Sequence, residues 1–400
     1  MQRACAAALL SKGITTILNP GSSNDDKAAL DVITKLGASI LSIGPAELVI
    51  SSEGVQPVGD ELNCGESGLG IRMFTPIAAT SGKSLRVTGT GSLLTRPLHF
   101  FDEIFPALGI SIRSNNGFLP IDITGPLKPA SITIDGSLSS QFLTGLLMAF
   151  GAAGAGDAQI TVSNLKSKPY IDLTISVMRE FGITVEHDDY RVFRFPVKGE
   201  AFMPCIYQVE GDWSGGAFLL IAGAVAGRVR IEGLDPASTQ ADKAILQALR
   251  SAGAALTIEG TNIECEPAAL NSFHFDATDC PDLFPPLVAL AAYGAGVSEI
   301  TGVTRLEHKE SNRGITLKEE FGKLGVRIDL DGDLMKVLGG KDLRGNAVHS
   351  RHDHRIAMAC TVAALAAKGE TVVHDAEAID KSFPEFYNQL KQLGASISSN

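Results

Sequence analysis

The sequence predicts an α/β protein of two lobes, each built from three copies of one helix–strand unit. The chain has 400 residues, which suits two domains of about 200 residues each better than a single core. In addition, an amphipathic helix end followed by glycine and a short β-type run recurs six times. Its glycines lie 69 to 73 residues apart, and they are Gly37, Gly109, Gly182, Gly253, Gly325 and Gly394.

Each copy of this phrase has a simple physical interpretation. In residues 33–40 (ITKLGASI), apolar residues at helical spacing precede a glycine that can cap the helix in the left-handed conformation. The alternating residues after the glycine predict a half-buried strand. A second phrase, an Ala- and Leu-rich helix followed by glycine and β-branched residues, interleaves with the first, as in residues 6–18 and 218–231. Each repeat therefore contains two helices and roughly four strands.

Six repeats divide into two lobes of three. We expect an N-terminal lobe of residues 1–211 and a C-terminal lobe of residues 212–400. The stretch 192–210, which contains Pro196 and Pro204, lies between the third and fourth repeats and is a candidate hinge. Two similar lobes with a cleft between them would suit closure over substrates and exclusion of water.

Composition excludes several classes of function. A hydrophobic content of 44% with 20% charged residues indicates a globular chain. The net charge of −11 argues against general binding of nucleic acid or anionic membranes, although a few converging cations can still hold a small anion. The six cysteines lack CxxC or zinc-finger spacing, which predicts reduced thiols. No apolar run approaches the roughly 20 residues of a membrane span, and residues 1–10 favour an amphipathic helix over a signal peptide. We expect a soluble cytoplasmic enzyme.

Three loops of the first half have the character of anion sites. Residues 136–142 (GSLSSQF) precede an apolar helix, where hydroxyls and free N–H groups can bind an anion, although for this loop taken alone simple N-capping by Ser139 or Ser140 is the favoured explanation. Residues 167–172 (SKPYID) show the same ambiguity. The glycine-rich residues 64–72 (CGESGLGIR) lack the G-x-G-x-x-G spacing of a dinucleotide loop. Their amides could nevertheless approach an anion closely.

Three loops of the second half combine cations with carboxylates: residues 308–313 (HKESNR), 351–355 (RHDHR) and 380–384 (DKSFP). Each could be a salt-bridged surface. Arginine is also suited to bidentate contacts with carboxylate and phosphate, and lysine to point-charge contacts. His352 and His354 have no third ligand in the pattern, so we expect no metal site.

Together, in this order, these phrases resemble the 5-enolpyruvylshikimate-3-phosphate synthase family over essentially the full length. The phrases are TRPL (95–98), GSLSSQF (136–142), SKPYID (167–172), KESNR (309–313), DHR (353–355) and DKSFP (380–384). The resemblance implies a two-lobed inside-out α/β barrel of six βαβαββ repeats, three per lobe. It also implies transfer of the enolpyruvyl group of phosphoenolpyruvate to the 5-hydroxyl of shikimate 3-phosphate, in the shikimate pathway to chorismate and aromatic amino acids. No metal, organic cofactor, nucleic acid or membrane is implied, and the chain would act as a monomer.

The resemblance assigns roles to individual residues. Those implied to bind shikimate 3-phosphate are Arg3, Ser139, Ser140, Gln141, Ser167, Tyr170, Asp282, Arg305 and Lys309. Those implied to bind phosphoenolpyruvate are Gly68, Arg96, Gln141, Arg313, Arg355 and Lys381. Asp282 would take the hydroxyl proton, Glu310 would protonate the enol methylene carbon, and His354 would support catalysis. Arg305 stands where many members have asparagine. Two carboxyl groups in opposite protonation states suit this chemistry, and cations would stabilise the leaving phosphate.

One departure from the family concerns the chain start. Family members carry a Gly-Ser-Lys-Ser phrase just upstream of the position of Gln2 and Arg3, and its lysine contacts both substrates. We expect a misassigned or truncated start, with an impaired or non-catalytic substrate-binding form as the alternative. The UDP-N-acetylglucosamine enolpyruvyl transferases, which share the fold, are the rival family. The SSQ, SKPY and KESNR phrases, and the lack of a clear catalytic-cysteine loop, argue against them.

Overall fold

A computed structural model describes residues 1–340 and 342–398. The chain divides into two compact units, unit 1 from Met1 to Val209 and unit 2 from Glu210 onward. The lobe boundary expected from the sequence, after Gly211, lies close to this division. Among the described residues, three sheets lie in each unit, which confirms the six repeats predicted from the glycine spacing.

Unit 1 contains twelve strands and six helices in three repeats. The first repeat comprises α1 (Gln2–Leu10), β1 (Lys12–Leu18), α2 (Asn24–Lys35), β2 (Ser39–Ile43) and β3 (Glu47–Glu53). The second comprises β4 (Glu61–Asn63), α3 (Gly68–Ala78), β5 (Ser84–Thr88), α4 (Phe100–Ile104), β6 (Ser111–Asn115) and β7 (Phe118–Thr124). The third comprises β8 (Ile132–Asp135), α5 (Ser140–Ala153), β9 (Ile160–Ser163), α6 (Lys168–Glu180), β10 (Glu186–Asp188), β11 (Val192–Arg194) and β12 (Ile206–Gln208).

The described part of unit 2 contains the fourth, fifth and sixth repeats. The fourth comprises α7 (Trp213–Val225), β13 (Val229–Ile231), α8 (Ile245–Ser251), β14 (Ala255–Glu259) and β15 (Asn262–Glu266). The fifth comprises β16 (His274–Asp276), α9 (Phe284–Tyr293), β17 (Gly296–Thr301), α10 (Arg313–Lys323), β18 (Arg327–Asp331) and β19 (Leu334–Gly339). The sixth comprises β20 (Ala347–His349), α11 (His354–Ala364), β21 (Val372–His374) and α12 (Phe386–Gln392).

The strands of a repeat form one small sheet with a fixed order. The second, third and fifth sheets run β4-β5-β7-β6, β8-β9-β11-β10 and β16-β17-β19-β18. In each, the first two strands are parallel and the later pairs antiparallel. A parallel pair needs a crossover, which the first helix of the repeat supplies. In the first sheet, β12 takes the first position and pairs in parallel with β1. Within the described residues the fourth sheet has three strands and the sixth has two.

The first helix of each repeat lies in the core. In unit 1 the helices α1, α3 and α5 contact one another, and in unit 2 so do α7, α9 and α11. These helices are apolar on nearly all sides, as a fully buried helix must be. The interpretation of residues 1–10 as amphipathic is therefore wrong, because every residue of α1 from Ala4 to Leu10 is buried. Short alanine side chains allow this close packing.

The six repeat glycines have the predicted conformation. Their φ angles lie between 74° and 107°, in the left-handed region that glycine adopts without steric cost. All six cysteines are free thiols. Among the helices of the described residues, none is both long and apolar enough to cross a membrane.

Close packing of α3 against α5 predicts a sharp asymmetry between two glycine-to-alanine substitutions. A Cβ at Gly145 would overlap the carbonyl oxygen of Arg72 and lie 2.6 Å from Pro76 Cγ. Overpacking of this kind is expected to cost about 3 kcal/mol for Gly145→Ala. Gly322, in α10, has open space around it, so Gly322→Ala should stabilise the chain by about 0.5–1 kcal/mol. Urea unfolding of both variants measures the change in the free energy of unfolding. Equal changes in the two variants would contradict the close packing of α3 against α5.

Candidate functional site

Nearly all predicted site residues lie just beyond the carboxyl ends of the parallel strand pairs. In unit 1, Gly68 follows β4, Arg96 follows β5, the residues from Ser139 to Gln141 follow β8, and Ser167 follows β9. In unit 2, Asp282 follows β16, Lys309 follows β17, Arg355 follows β20, and Lys381 ends the 3-10 helix after β21. Arg3, in α1, is the exception. The repeat therefore gathers loops that are distant in sequence at corresponding places in the fold.

An arginine that the sequence analysis missed joins the candidate residues of α3 and α5. Arg72, one turn after Gly68, donates from Nη1 to the Gly68 carbonyl at 3.3 Å and to Gln141 Oε1 at 2.9 Å. Its guanidinium lies over the Phe142 ring, 5.1 Å from the centroid. A Cβ on Gly68 would lie 2.7 Å from Arg96 Nη1, so Gly68, Arg96 and Gln141 are brought together. The i, i+4 spacing of Gly68 and Arg72 in a helix was the available signal.

One of the serines at the start of α5 acts as a helix cap. Ser139 is the N-cap of α5, and its hydroxyl accepts from the Gln141 amide at 3.2 Å. Ser140, the first residue of the helix, is buried. The structure therefore contains the capping interaction that was the alternative explanation of this loop. The other amides of the first turn have no partner within the helix itself and are still able to bind an anion.

Arg3 is placed against α6. Its Nε donates to Thr174 Oγ1 at 2.9 Å, and its Nη2 lies 3.5 Å from the carbonyl oxygen of Tyr170. Burial lowers the pKa of Arg3 to about 10, which still leaves the guanidinium charged at neutral pH. Thr174 also hydrogen-bonds Thr144 of α5 at 2.9 Å. Arg3, Tyr170 and the α5 residues therefore belong to one connected region of unit 1, which also includes Ser167 at the N-cap of α6.

Asp282 contacts three cationic side chains in unit 2. Its carboxylate is 3.0 Å from Lys309 Nζ, 2.7 Å from Arg313 Nη1 and 3.2 Å from Arg355 Nη2. Burial would raise the pKa of Asp282, but the charges of Arg355, Lys309 and Arg313 outweigh it and hold that pKa well below its ordinary value. The carboxylate is therefore ionised at neutral pH, as a proton acceptor must be.

Arg313 is the most deeply buried cation of this cluster, with a side chain only 1% exposed. Besides Asp282, it contacts Glu310 Oε2 at 2.6 Å and Asp353 Oδ2 at 2.8 Å. Burial would lower its pKa, but Asp353, Glu310 and Asp282 outweigh burial and raise it. Asp353 is wholly buried, caps α11 by accepting from the Arg355 amide at 3.0 Å, and accepts from Ser311 Oγ at 3.0 Å. The sequence analysis gave Asp353 no role.

The remaining candidates of unit 2 border this cluster. Burial lowers the pKa of His354 to about 3, so its imidazole is neutral, and its Nδ1 has no hydrogen-bond partner among the described residues. Burial also lowers the pKa of Lys309 and of Arg305, a partly buried residue of the 3-10 helix Val303–Leu306. Lys381 is buried at the end of the 3-10 helix Ala376–Lys381.

A second buried carboxyl, which sequence reasoning also missed, lies near Asp282. Asp242 is buried and accepts a hydrogen bond from the Ser214 hydroxyl. Burial, together with the negative charge of Asp282, raises the pKa of Asp242 to about 6. Nothing in the sequence around residue 242 distinguishes it from a surface acid.

The described residues contain no group of three His, Cys, Asp or Glu side chains arranged to hold a metal ion. His352 and His354 lie next to different carboxylates. His352 Nδ1 lies 2.9 Å from the Asp375 carboxylate, whereas His354 is buried beside Asp353. The cations around Asp282 make an anion the natural ligand of this site.

Comparison with solved structures defines the class of protein. The fold matches an EPSP synthase from Acinetobacter baumannii with a TM-score of 0.81 and 24% identity, covering 100% of this chain and 94% of that one. It also matches the enolpyruvyl transferase NikO from Streptomyces tendae, with a TM-score of 0.77 and 18% identity over 99% of this chain and 93% of that one. The fold is thus that of the enolpyruvyl transferases.

Sequence comparison identifies the family. The family model of EPSP synthase (3-phosphoshikimate 1-carboxyvinyltransferase) matches residues 2–390. Proteins named 3-phosphoshikimate 1-carboxyvinyltransferase from Clostridium novyi and Methanocorpusculum labreanum are 33% and 36% identical, covering 99% of this chain and 93% and 94% of theirs. One from Aeropyrum pernix is 36% identical over 98% of this chain and 90% of its own length. The chain belongs to the EPSP synthase family.

The buried position of Arg313 predicts a large effect of Asp353→Asn. This change keeps the shape of the side chain but removes one of the three negative charges around a guanidinium that water cannot reach. Breaking a buried ion pair from one side is expected to lower the free energy of unfolding by about 3 kcal/mol. Denaturant unfolding measures it, with Asp342→Asn as the control, because Asp342 is exposed and pairs only at the surface with Lys368. A loss no larger than that of the control would contradict the prediction.

Proposed function

We propose that the residues gathered around Asp282, together with the Gly68–Gln141 region, transfer the enolpyruvyl group of phosphoenolpyruvate to the 5-hydroxyl of shikimate 3-phosphate, with release of phosphate. Family membership supports the reaction. The single observation that supports these residues is the partly buried contact of one carboxylate, Asp282, with Lys309, Arg313 and Arg355. It combines an ionised acceptor for a proton with three cations for a phosphate.

The proton steps divide between Asp282 and Glu310. Asp282, kept ionised by its three cations, would accept the proton of the attacking hydroxyl as the oxygen bonds to C2 of the enol phosphate. Glu310 would give a proton to C3. When phosphate leaves C2, a proton passes from C3 back to Glu310, which restores the double bond, and the departing phosphate takes up the proton that Asp282 accepted. In the free protein Arg313 holds Glu310 at 2.6 Å. Engagement of Arg313 by the substrate phosphate would weaken this pair and favour the protonated acid.

The two phosphates would be bound by separate groups of residues. Lys381, Arg313, Arg355 and Arg96 would bind the phosphate of phosphoenolpyruvate, and Gly68 and Gln141 are assigned to the same substrate. Guanidinium groups present paired donors that match phosphate oxygens, and their charge stabilises the phosphate as it leaves. The hydroxyls and amides at the starts of α5 and α6, with Arg3 and Tyr170, would hold shikimate 3-phosphate. Lys309 and Arg305 would complete that set.

The same proposal covers the setting of the enzyme. It would work as a monomer in the cytoplasm, without metal, organic cofactor or nucleic acid. Free thiols at all six cysteines accord with a reducing compartment. Arginine, lysine and carboxyl groups supply all the charge that the reaction needs.

Phosphate release tests the reaction. Release from phosphoenolpyruvate should require shikimate 3-phosphate, whereas release supported instead by UDP-N-acetylglucosamine would contradict the assignment. Asp282→Asn and Glu310→Gln keep the size of each side chain and remove its proton chemistry. Each is expected to lower kcat by at least about 100-fold, since positioned acids and bases contribute this much or more. Asp342→Asn, an exposed control, should keep full activity, and kcat values of the two site variants near the control would exclude both roles.

The contact between Gly68 and Arg96 gives a further prediction. In Gly68→Ala the new Cβ would stand 2.7 Å from Arg96 Nη1 and force this flexible side chain to move. We expect the KM for phosphoenolpyruvate to rise about tenfold, because small displacements of a substrate-positioning group are costly, with stability little changed. Gly59→Ala is the control, because Gly59 has open space around it. Initial rates at varied phosphoenolpyruvate measure the effect, and an unchanged KM would exclude Arg96 as a phosphate ligand.

A further inference from the structure

The last two strands of unit 2 carry two of the proposed phosphate ligands on separate segments. After β20, residues 350–352 form a turn into α11, which begins with Asp353 as its N-cap and carries Arg355. After β21, Asp375 begins the 3-10 helix Ala376–Lys381. The strands are parallel, and their last residues, His349 and His374, are paired. Both segments therefore leave the sheet side by side, and something must fix one relative to the other.

Asp375 makes contacts with both segments. Its Oδ2 accepts from the His352 amide at 2.7 Å and from Ser350 Oγ at 2.8 Å. Its carbonyl oxygen accepts from Ser350 Oγ at 2.8 Å and, within its own segment, from the Ala378 amide at 3.4 Å. The Asp375 side chain is only 12% exposed, which strengthens these contacts relative to surface ones.

The turn that Asp375 holds is one that needs support. Arg351 and His352 have φ angles of 56° and 58°, in the left-handed region where a side chain carries a steric cost. On one side, buried Glu320 accepts from the Arg351 guanidinium at 3.3 Å and from the His349 amide at 2.8 Å. On the other side, Asp375 holds His352 and Ser350. Two carboxylates thus fix the turn that sets where α11 begins.

We propose that Asp375 is a positioning residue that holds the Arg355 segment and the Lys381 segment in one fixed arrangement for the phosphate of phosphoenolpyruvate. The inference rests on the proposed function, since it takes both cations as ligands of that phosphate. Asp375 itself touches neither substrate. Its loss would let the turn relax and the two cations separate, so binding of phosphoenolpyruvate weakens more than binding of shikimate 3-phosphate.

The substitution Asp375→Asn isolates the role of the carboxylate. Asparagine tolerates the φ angle of 58° at this position, so the backbone conformation is retained. The matched control is Asp189→Asn, because Asp189 also has a left-handed φ, 45°, and its ion pair with Arg191 is exposed. Ser350→Ala is a milder second variant that removes the two hydroxyl contacts with Asp375 and leaves its carboxylate in place.

The experiment measures KM for each substrate, kcat and the thermal unfolding midpoint. We expect Asp375→Asn to raise the KM for phosphoenolpyruvate about tenfold, a loss of the size expected for a misplaced substrate-positioning group, with less than a twofold change for shikimate 3-phosphate. Ser350→Ala should show the same selectivity at a smaller size, and Asp189→Asn should match the wild type. A purely structural role would instead lower the unfolding midpoint and change both KM values equally, which would overturn the inference. No turnover by the wild type would overturn the proposed function, and this inference with it.

Discussion

The buried charge of Arg313 sets the arrangement of unit 2. A guanidinium taken out of water must be paired, or the cost of desolvation is prohibitive. Its three carboxylates come from three different segments: Asp282 precedes α9, Glu310 lies before α10, and Asp353 caps α11. The need to satisfy one side chain therefore draws together the strand ends of the fifth and sixth repeats. The same cluster is close to neutral in charge without substrate, so an incoming phosphate competes with carboxylates for cations already in place.

The repeat explains why a site forms at all. A parallel strand pair with a crossover helix puts a strand's carboxyl end next to a helix N-terminus, where free amides favour anions. Six copies of this unit provide many such positions, and nearly all the candidate residues of both units occupy them. Specific chemistry then comes from side chains placed on an otherwise common geometry, such as Arg72 between Gly68 and Gln141. Contacts like that of Asp375 with the neighbouring loop complete the placement.

The sequence was sufficient to predict the repeats, because glycine spacing and helix periodicity are local properties. It was less informative where burial decides the outcome. Residues 1–10 look amphipathic, but alanines let α1 pack on nearly every side. Asp353 and Asp242 look like surface acids, and only the fold shows that both are buried. Arg72 hydrogen-bonds Gln141, which belongs to the next repeat, and residue spacing along the chain does not predict a contact over that distance. The resemblance supplied the other site residues, but it could not supply the partners that orient them.

Two carboxyls near Arg355, the buried Asp242 and the partly buried Asp282, show how placement selects a role. Burial acts on both Asp242 and Asp282, and by itself it raises the pKa of each. Asp242 has the Ser214 hydroxyl as a hydrogen-bond donor, and its pKa stays raised, at about 6. Asp282 is held by Lys309, Arg313 and Arg355, and its pKa falls well below the ordinary value. The two carboxyls therefore differ in pKa because the charges of Arg355, Lys309 and Arg313 outweigh burial at Asp282, whereas at Asp242 burial and the charge of Asp282 outweigh the charge of Arg355. At neutral pH this makes Asp282 the more fully ionised carboxylate, and it is the one whose cations can also receive a phosphate.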